Sequence, residues 1–177
     1  RNRKDPDREV VQRCQECCPD GPEALEGPFR QLYDLYKDRV YNVCYRITGS
    51  ATDALDASQE TFGIVFRKLA SFRFESKFSS WVYRIAVNAS IDLKRRSSSQ
   101  RLASLEAATS QDRLRSTTRL DVLRDERIEQ PSAAASRREL EDEIQRAILR
   151  LSPKLQAITV LRYVENLSYD EIAETLQ

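Results

Sequence analysis

The chain has 177 residues, 29 basic and 28 acidic, with a formal net charge of +1, 32% charged and 8% aromatic positions, four cysteines and no histidine. That length suits one domain or two small helical ones, and no apolar run approaches the ~20 residues of a membrane span, which excludes an integral membrane helix and points to a cytoplasmic protein. Without histidine, a nucleophile-with-base constellation or a glycine-rich phosphate loop, an enzyme, a small-molecule substrate and a cofactor are all disfavoured. The chain starts at Arg1 and contains no methionine, so both ends are read as cut from a longer product.

Val10 and Val11 suggest a short opening helix, followed by Cys14, Cys17 and Cys18. Structural zinc commonly takes two separated ligand pairs, and here the second pair is missing, so no metal site is assigned. Pro19, Gly21, Pro22, Gly27 and Pro28 punctuate a loop. A long helix then runs from Phe29 to Thr48, burying Phe29, Leu32, Tyr33, Tyr36, Val40, Val43, Cys44 and Ile47 at three- and four-residue steps. Cys44 falls on that stripe and is read as a small core residue. Gly49 ends the helix, and Thr52 is read as the N-cap of the next, which reaches Ala70 with Ala54, Ser58, Phe62, Val65 and Leu69 inward. Asp53, Asp56, Gln59 and Glu60 are left on its other faces.

The balanced net charge conceals a local imbalance. Between residues 67 and 101, Arg67, Lys68, Arg73, Lys77, Arg84, Lys94, Arg95, Arg96 and Arg101 face only Glu75 and Asp92. A basic and aromatic loop, Ser71 to Lys77, leads there into a helix over Phe78–Arg96. Phe78, Trp81, Val82, Ile85, Ala89 and Leu93 line its inward side, and Arg84, Asn88, Asp92 and Arg95 its outward ridge. Guanidinium and amide groups on such a ridge can contact phosphates and base edges, whereas an ordinary solvated helix face is the plainer alternative.

From Ser97 to Arg138 the apolar period fades, and a tether is expected, too long for a connection inside one compact domain. Helix returns with Ile144, Ala147, Ile148 and Leu151. Ser152 and Pro153 open another carrying Leu155, Ile158, Leu161 and Val164. Ser168 and Glu171 have capping-box spacing before a third, with Ile172, Ala173 and Leu176 apolar. The last two helices, joined at Asn166 and Leu167, have the form of the front of a helix-turn-helix, whose second helix is expected beyond Gln177.

Four blocks in this order, Phe29–Tyr36 (FRQLYDLY), Asp53–Phe62 (DALDASQETF), Phe78–Arg96 and Leu151–Leu176, resemble the extracytoplasmic-function group of bacterial RNA polymerase sigma factors. The resemblance implies an all-α fold of two small helical domains joined by a long flexible linker, the second holding a truncated helix-turn-helix. Its divisions would be an extension over 1–28, region 2 over 29–98, linker over 99–136 and region 4 over 137–177. It further implies a non-catalytic subunit that binds core RNA polymerase and directs promoter recognition and melting, with an anti-sigma factor as a partner in many members. Asp53, Asp56, Gln59 and Glu60 match the block that docks on the clamp helices of the largest polymerase subunit. The flipped base of the minus-ten element, on the non-template strand, would lie between the loop Phe72–Lys77, including Phe74 and Ser76, and the ridge bearing Asn88 and Asp92. Asn88 would read a base edge, Arg84, Lys94, Arg95 and Arg96 would hold phosphates, and Phe72, Phe74 or Phe78 would offer a stacking surface worth about 1–3 kcal/mol per base. Leu55 and Gln156 depart from the family pattern, where an acidic residue and an arginine are usual, so no role is carried to them. Two other functions fit the composition: a polymerase-independent helix-turn-helix regulator and an all-helical protein-binding adaptor. The regulator would need neither the acidic block nor the long tether.

Overall fold

The computed structural model describes residues 5–17, 22–107 and 131–176. Those residues form α1 (Arg8–Cys17), α2 (Pro22–Thr48), α3 (Ala51–Lys68), a 3-10 turn (Leu69–Ser71), α4 (Phe78–Ala107), α5 (Pro131–Leu149), α6 (Pro153–Tyr163) and α7 (Tyr169–Leu176). The architecture is all-α, and no helix among them is long and apolar enough to cross a membrane. Helices α1 to α4 pack as one unit, and α5 to α7 lie against the C-terminal end of α2 and the flank of α4.

Several boundaries differ from those the sequence suggests. Helix α2 starts at Pro22, not Phe29, so Gly27 and Pro28 sit inside it. Proline is at home at a first helical position, and further in it forfeits its own amide donor. Packing holds the helix beyond that point, where the Phe29 ring meets Phe66 edge-on at 5.0 Å. The cap of α3 is Ser50, not Thr52: its hydroxyl accepts from the Asp53 amide at 3.3 Å. Helix α4 continues past Arg96 because residues 97–107 contain neither glycine nor proline to stop it. Pro131, expected to interrupt, instead opens α5. Helices thus occupy both ends of the expected tether, whose middle, residues 108–130, lies outside the described residues, as does Cys18.

The core is built around α2 and α4. Leu32, Tyr36, Val40, Val43, Cys44 and Ile47 of α2 face Phe78, Val82, Ala86 and Ala89 of α4, with Ala54, Ala57 and Val65 of α3 closing the third side. Burying a Phe or Leu side chain contributes about 1.5–3 kcal/mol. Burial pushes the Cys44 thiol pKa up, and Ser58, Thr61 and Ser90 surround it. Trp81, Ile85 and Leu93 are only partly buried, while Tyr83 and Val87, outside the expected stripe, are enclosed. Helix α4 is therefore covered on a second flank, by the C-terminal helices.

In that C-terminal part the inward stripe is not the purely apolar one expected. Ile144, Ala147, Leu155 and Ala173 are exposed, whereas Gln145, Ile148, Gln156, Ala157, Val160 and Leu161 are buried. Two glutamines point inward because they find acceptors there. The Gln145 amide donates to the carbonyls of Tyr45 (3.3 Å) and Arg46 (3.2 Å), and the Gln156 amide to those of Arg46 (3.2 Å) and Ile47 (3.1 Å). These carbonyls belong to the last turn of α2, where a helix runs out of amide donors of its own; the Tyr45 carbonyl also accepts from the Gly49 amide at 2.8 Å. Lys94 of α4 donates to the Ile47 carbonyl at 3.3 Å and to Gln156 Oε1 at 3.2 Å. The Ser168–Glu171 capping box forms as expected, with the Ser168 amide donating to Glu171 Oε2 at 2.8 Å and the Glu171 amide to Ser168 Oγ at 3.3 Å.

Gly49 makes the turn out of α2 with φ +74, and a Cβ there would meet Leu149 Cδ1 at 2.7 Å. Gly49→Ala should therefore lower the unfolding free energy by about 1–2 kcal/mol, the cost of a left-handed side-chain-bearing residue. Gly27→Ala, in open space within α2, should raise it by roughly 0.5–1 kcal/mol. Urea denaturation of the two variants checks the opposite signs.

Candidate nucleic-acid interface

The 3-10 turn after α3 carries the chain into an irregular loop, Phe72–Lys77, that ends at the first residue of α4. Phe72 itself is core: 8% exposed, its ring lies 4.9 Å from Phe74, 5.5 Å from Phe78 and 5.0 Å from Trp81. Phe78 is also enclosed. Both rings are thereby removed from the candidates for stacking, because the helix and turn bury them against one another. Phe74 remains, half-buried, with a backbone φ of +58 that side-chain-bearing residues rarely adopt. Ser76 and Lys77 sit beside it, half-buried.

Ten residues along α4 from Phe78, a rise of ~15 Å, Asn88 is exposed. Among the described residues its side-chain amide has no hydrogen-bond partner, which leaves its donor and acceptor for an outside group. Asp92, Arg95 and Arg96 follow on the open surface, with Arg95 and Asp92 3.8 Å apart as a loose pair. An exposed pair of this kind is worth under about 1 kcal/mol, so Arg95 is readily released.

The other half of the ridge is occupied. Arg84 donates from Nε to the Thr175 carbonyl at 2.9 Å and from a terminal nitrogen to the Glu174 carbonyl, capping the last turn of α7. Lys77 is ion-paired with Glu171, and the Tyr83 hydroxyl donates to the Glu165 carboxylate. Lys94 turns inward to the end of α2, as described above. Thus Arg84 and Lys94, expected on a free outer face, are engaged within the molecule: backbone carbonyls at two helix ends attract these cations. Burial lowers the Lys94 ammonium pKa, and burial raises that of the Glu165 carboxyl despite the hydrogen bond from Tyr83.

On the far side of the same unit, α2 and α3 diverge into an open groove of about 970 Å³. Tyr33, Tyr41, Leu55, Phe62 and Phe66 line it, and the Tyr33 and Phe62 rings are 4.7 Å apart. Leu55 (44%), Tyr33 (42%) and Phe66 (37%) expose apolar surface there, a concentration that marks contact surfaces more than solvated ones. Gln59 lies on its wall. Asp56 and Glu60 are exposed on the same helix, and Asp53 is half-exposed in its first turn.

In the sequence the one signal of the groove is the apolar Leu55 among polar, exposed neighbours, and the inward roles of Gln145 and Gln156 leave no trace in the periodicity of apolar residues.

Comparison with known proteins locates both surfaces within one family match. The sigma-70 region 2 family matches residues 32–100, and a sigma-70 region 4 family matches residues 141–177. The chain is similar to the ECF RNA polymerase sigma factor SigW of Bacillus subtilis, 35% identical over 151 residues that cover 85% of this chain and 78% of that protein. It is 34% identical to the ECF RNA polymerase sigma-E factor of Haemophilus influenzae, covering 84% of this chain and 75% of the relative. The RNA polymerase sigma factor YlaC of Bacillus subtilis is 30% identical, with 82% of this chain and 77% of that protein covered.

The Lys77–Glu171 pair gives a pH signature. The Lys77 ammonium holds the Glu171 carboxyl well below its usual value of 4.5, at about 2. A depressed folded-state pKa contributes stability that is complete above the unfolded value and is lost as pH falls from about 4.5 through about 2. Glu171→Gln, which keeps the capping box, should flatten the fall in stability over that window, as read by denaturant midpoints between pH 2 and 6.

Proposed function

This chain belongs to the extracytoplasmic-function group of RNA polymerase sigma factors, and from that premise we propose that two faces of its α1–α4 unit divide the work of promoter opening. As a member of the family it binds core RNA polymerase and directs promoter recognition for transcription initiation; the chemistry of RNA synthesis belongs to the polymerase, in the bacterial cytoplasm.

The first face is the groove between α2 and α3 with the neighbouring Asp53, Asp56, Gln59 and Glu60. Exposed rings and Leu55 supply apolar area, and the acidic and amide groups form a polar rim, the anatomy of a protein–protein contact. It docks the clamp helices of the largest polymerase subunit. An anti-sigma factor would compete for this face or for the ridge.

The second face is the open half of the α4 ridge with the loop Phe72–Lys77. The observation that carries this assignment is Asn88: solvent-exposed, with no hydrogen-bond partner among the described residues, and followed by the exposed Arg95 and Arg96. A base leaving the stack costs a few kcal/mol, which edge hydrogen bonds and stacking on Phe74 offset. Asn88 reads a base of the non-template minus-ten strand, with Ser76 and Asp92 flanking it. Arg95 and Arg96 hold phosphates and so position without specifying. Arg84 and Lys77 join them only once α7 lifts from α4, and Lys94 only once it leaves the end of α2. Full engagement of DNA on this face therefore follows the release of α7 and of Lys94.

Binding of the chain with core polymerase to a forked promoter fragment exposing the non-template strand tests the division. Asn88→Ala should flatten discrimination among exposed bases by about 5- to 100-fold, the worth of one bidentate base contact. Arg95→Ala should weaken all sequences alike and reduce the salt dependence of binding. Leu55→Arg should lower affinity for core polymerase at least tenfold with little change in stability, measured by competition with labelled wild-type chain. Undiminished base discrimination by Asn88→Ala would refute its role, and tight duplex binding without polymerase would favour the regulator instead.

A further inference from the structure

The loop that bears Phe74 is held from outside as well as by local contacts such as the Phe72 amide on the Leu69 carbonyl and the Phe72–Phe74 ring pair. Three side chains from the N-terminal helix and the turn before it reach the loop at its beginning, middle and end. Gln15 spends both amide hydrogens on one turn of backbone, donating to the Leu69 carbonyl at 2.9 Å and the Phe72 carbonyl at 2.8 Å. The Arg8 guanidinium lies over the Phe74 ring, 4.7 Å from its centroid. Asp5 Oδ2 accepts from the Phe78 amide at 2.7 Å, satisfying a donor that the start of α4 leaves orphaned.

These contacts are additional to those that seat α1. Val11 and Cys14 are fully buried in the common core, and Tyr36 of α2 donates its hydroxyl to Asp7. Arg8 is exposed, and Arg8 and Gln15 lie seven residues apart on one side of the helix. Helix α1 is thus anchored through its apolar side independently of the polar contacts made with the loop. The loop, by contrast, contains a phenylalanine in the left-handed region, a conformation that persists where its surroundings over-determine it.

We propose that Gln15, assisted by Asp5 and Arg8, is a positioning residue for strand capture: α1 clamps the loop so that Phe74 is set before a base arrives. The inference rests on the base-capture reading of Phe72–Lys77 given above. Clamping in advance removes ordering cost from the capture step, because a loop already in its binding conformation has less freedom to lose. Arg8 covers part of the Phe74 ring and brings a cation to the place where a phosphate chain would pass.

The test uses the full chain with core polymerase and the forked fragment, with four readouts: affinity for the fork, discrimination among its exposed bases, affinity for core polymerase, and unfolding midpoint. Gln15→Leu removes both donors at similar size. It should lower fork affinity for the preferred base about tenfold, as the ordering cost of the loop moves into the capture step, and flatten discrimination, while affinity for polymerase stays within about twofold. Gln15→Lys, which restores a donor of similar reach, should recover part of the loss. Arg8→Ala, at an exposed position where folding is not at stake, should weaken fork binding in the same direction. Equal losses in polymerase and fork affinity would reduce Gln15 to a structural role and overturn the proposal, as would unchanged discrimination. Phe74→Ala separates the two layers: if it flattens discrimination while Gln15→Leu does not, only the clamp is wrong, and if it changes nothing, the base-capture reading of the loop falls and takes the clamp with it.

Discussion

The last turn of α2 is where the described structure converges. A helix end leaves carbonyls without partners, and burying one unsatisfied costs about 1–3 kcal/mol. Here the carbonyls of Arg46 and Ile47 accept from Gln145 of α5, Gln156 of α6 and Lys94 of α4, while that of Tyr45 accepts from the Gly49 amide as well as from Gln145. Gln156 is wholly enclosed by this arrangement. Gly49 turns the chain immediately beyond, and the Leu149 side chain lies against the place where a Cβ would be. One helix terminus thus sets the path of the chain into α3 and the seat of the C-terminal helices.

Helix α4 is the second consequence of that seat. Its inner side completes the core with α2 and α3, and its ridge is divided between the part beneath α7 and the part left open. The division matters chemically because the two parts carry different groups. Beneath α7 are Lys77 and Arg84, whose positive charge meets a carboxylate and a pair of carbonyls. In the open are an amide suited to base edges and two guanidinium groups suited to phosphates. Helix α4 therefore presents an amide and two guanidinium groups outward, while its Arg84 and the adjoining Lys77 hold α7 against it.

Much of this was legible from residue spacing. The stripes of α2 and α4 place Leu32, Val40, Ile47, Phe78 and Val82 inward because the 3.6-residue period leaves a long helix few alternatives. The capping box at Ser168 was legible for the same local reason. What escaped were features fixed by partners distant in sequence. Gln156 looks like a surface residue until the end of α2 is brought to it, and Lys94 looks like a phosphate ligand until the same carbonyls claim it. Phe72 carries the signature of both a stacking ring and a core ring, and only the cluster with Phe78 and Trp81 decides between them. Leu55 is accounted for by the groove that it lines. In the site, the exposure of Asn88 followed from helical phase, whereas the engagement of Arg84 required knowing where α7 lies.

Helix α7 has one more property with a physical consequence. Asp170, Glu171 and Glu174 make it an acidic rod, and it rests on the side of α4 that carries Lys77 and Arg84. In this arrangement an incoming polyanion meets an anion already in place instead of a hydration shell. The net pull of that stretch on any polyanion is then a difference between the newcomer and the acidic helix, which is covalently tethered and always at hand.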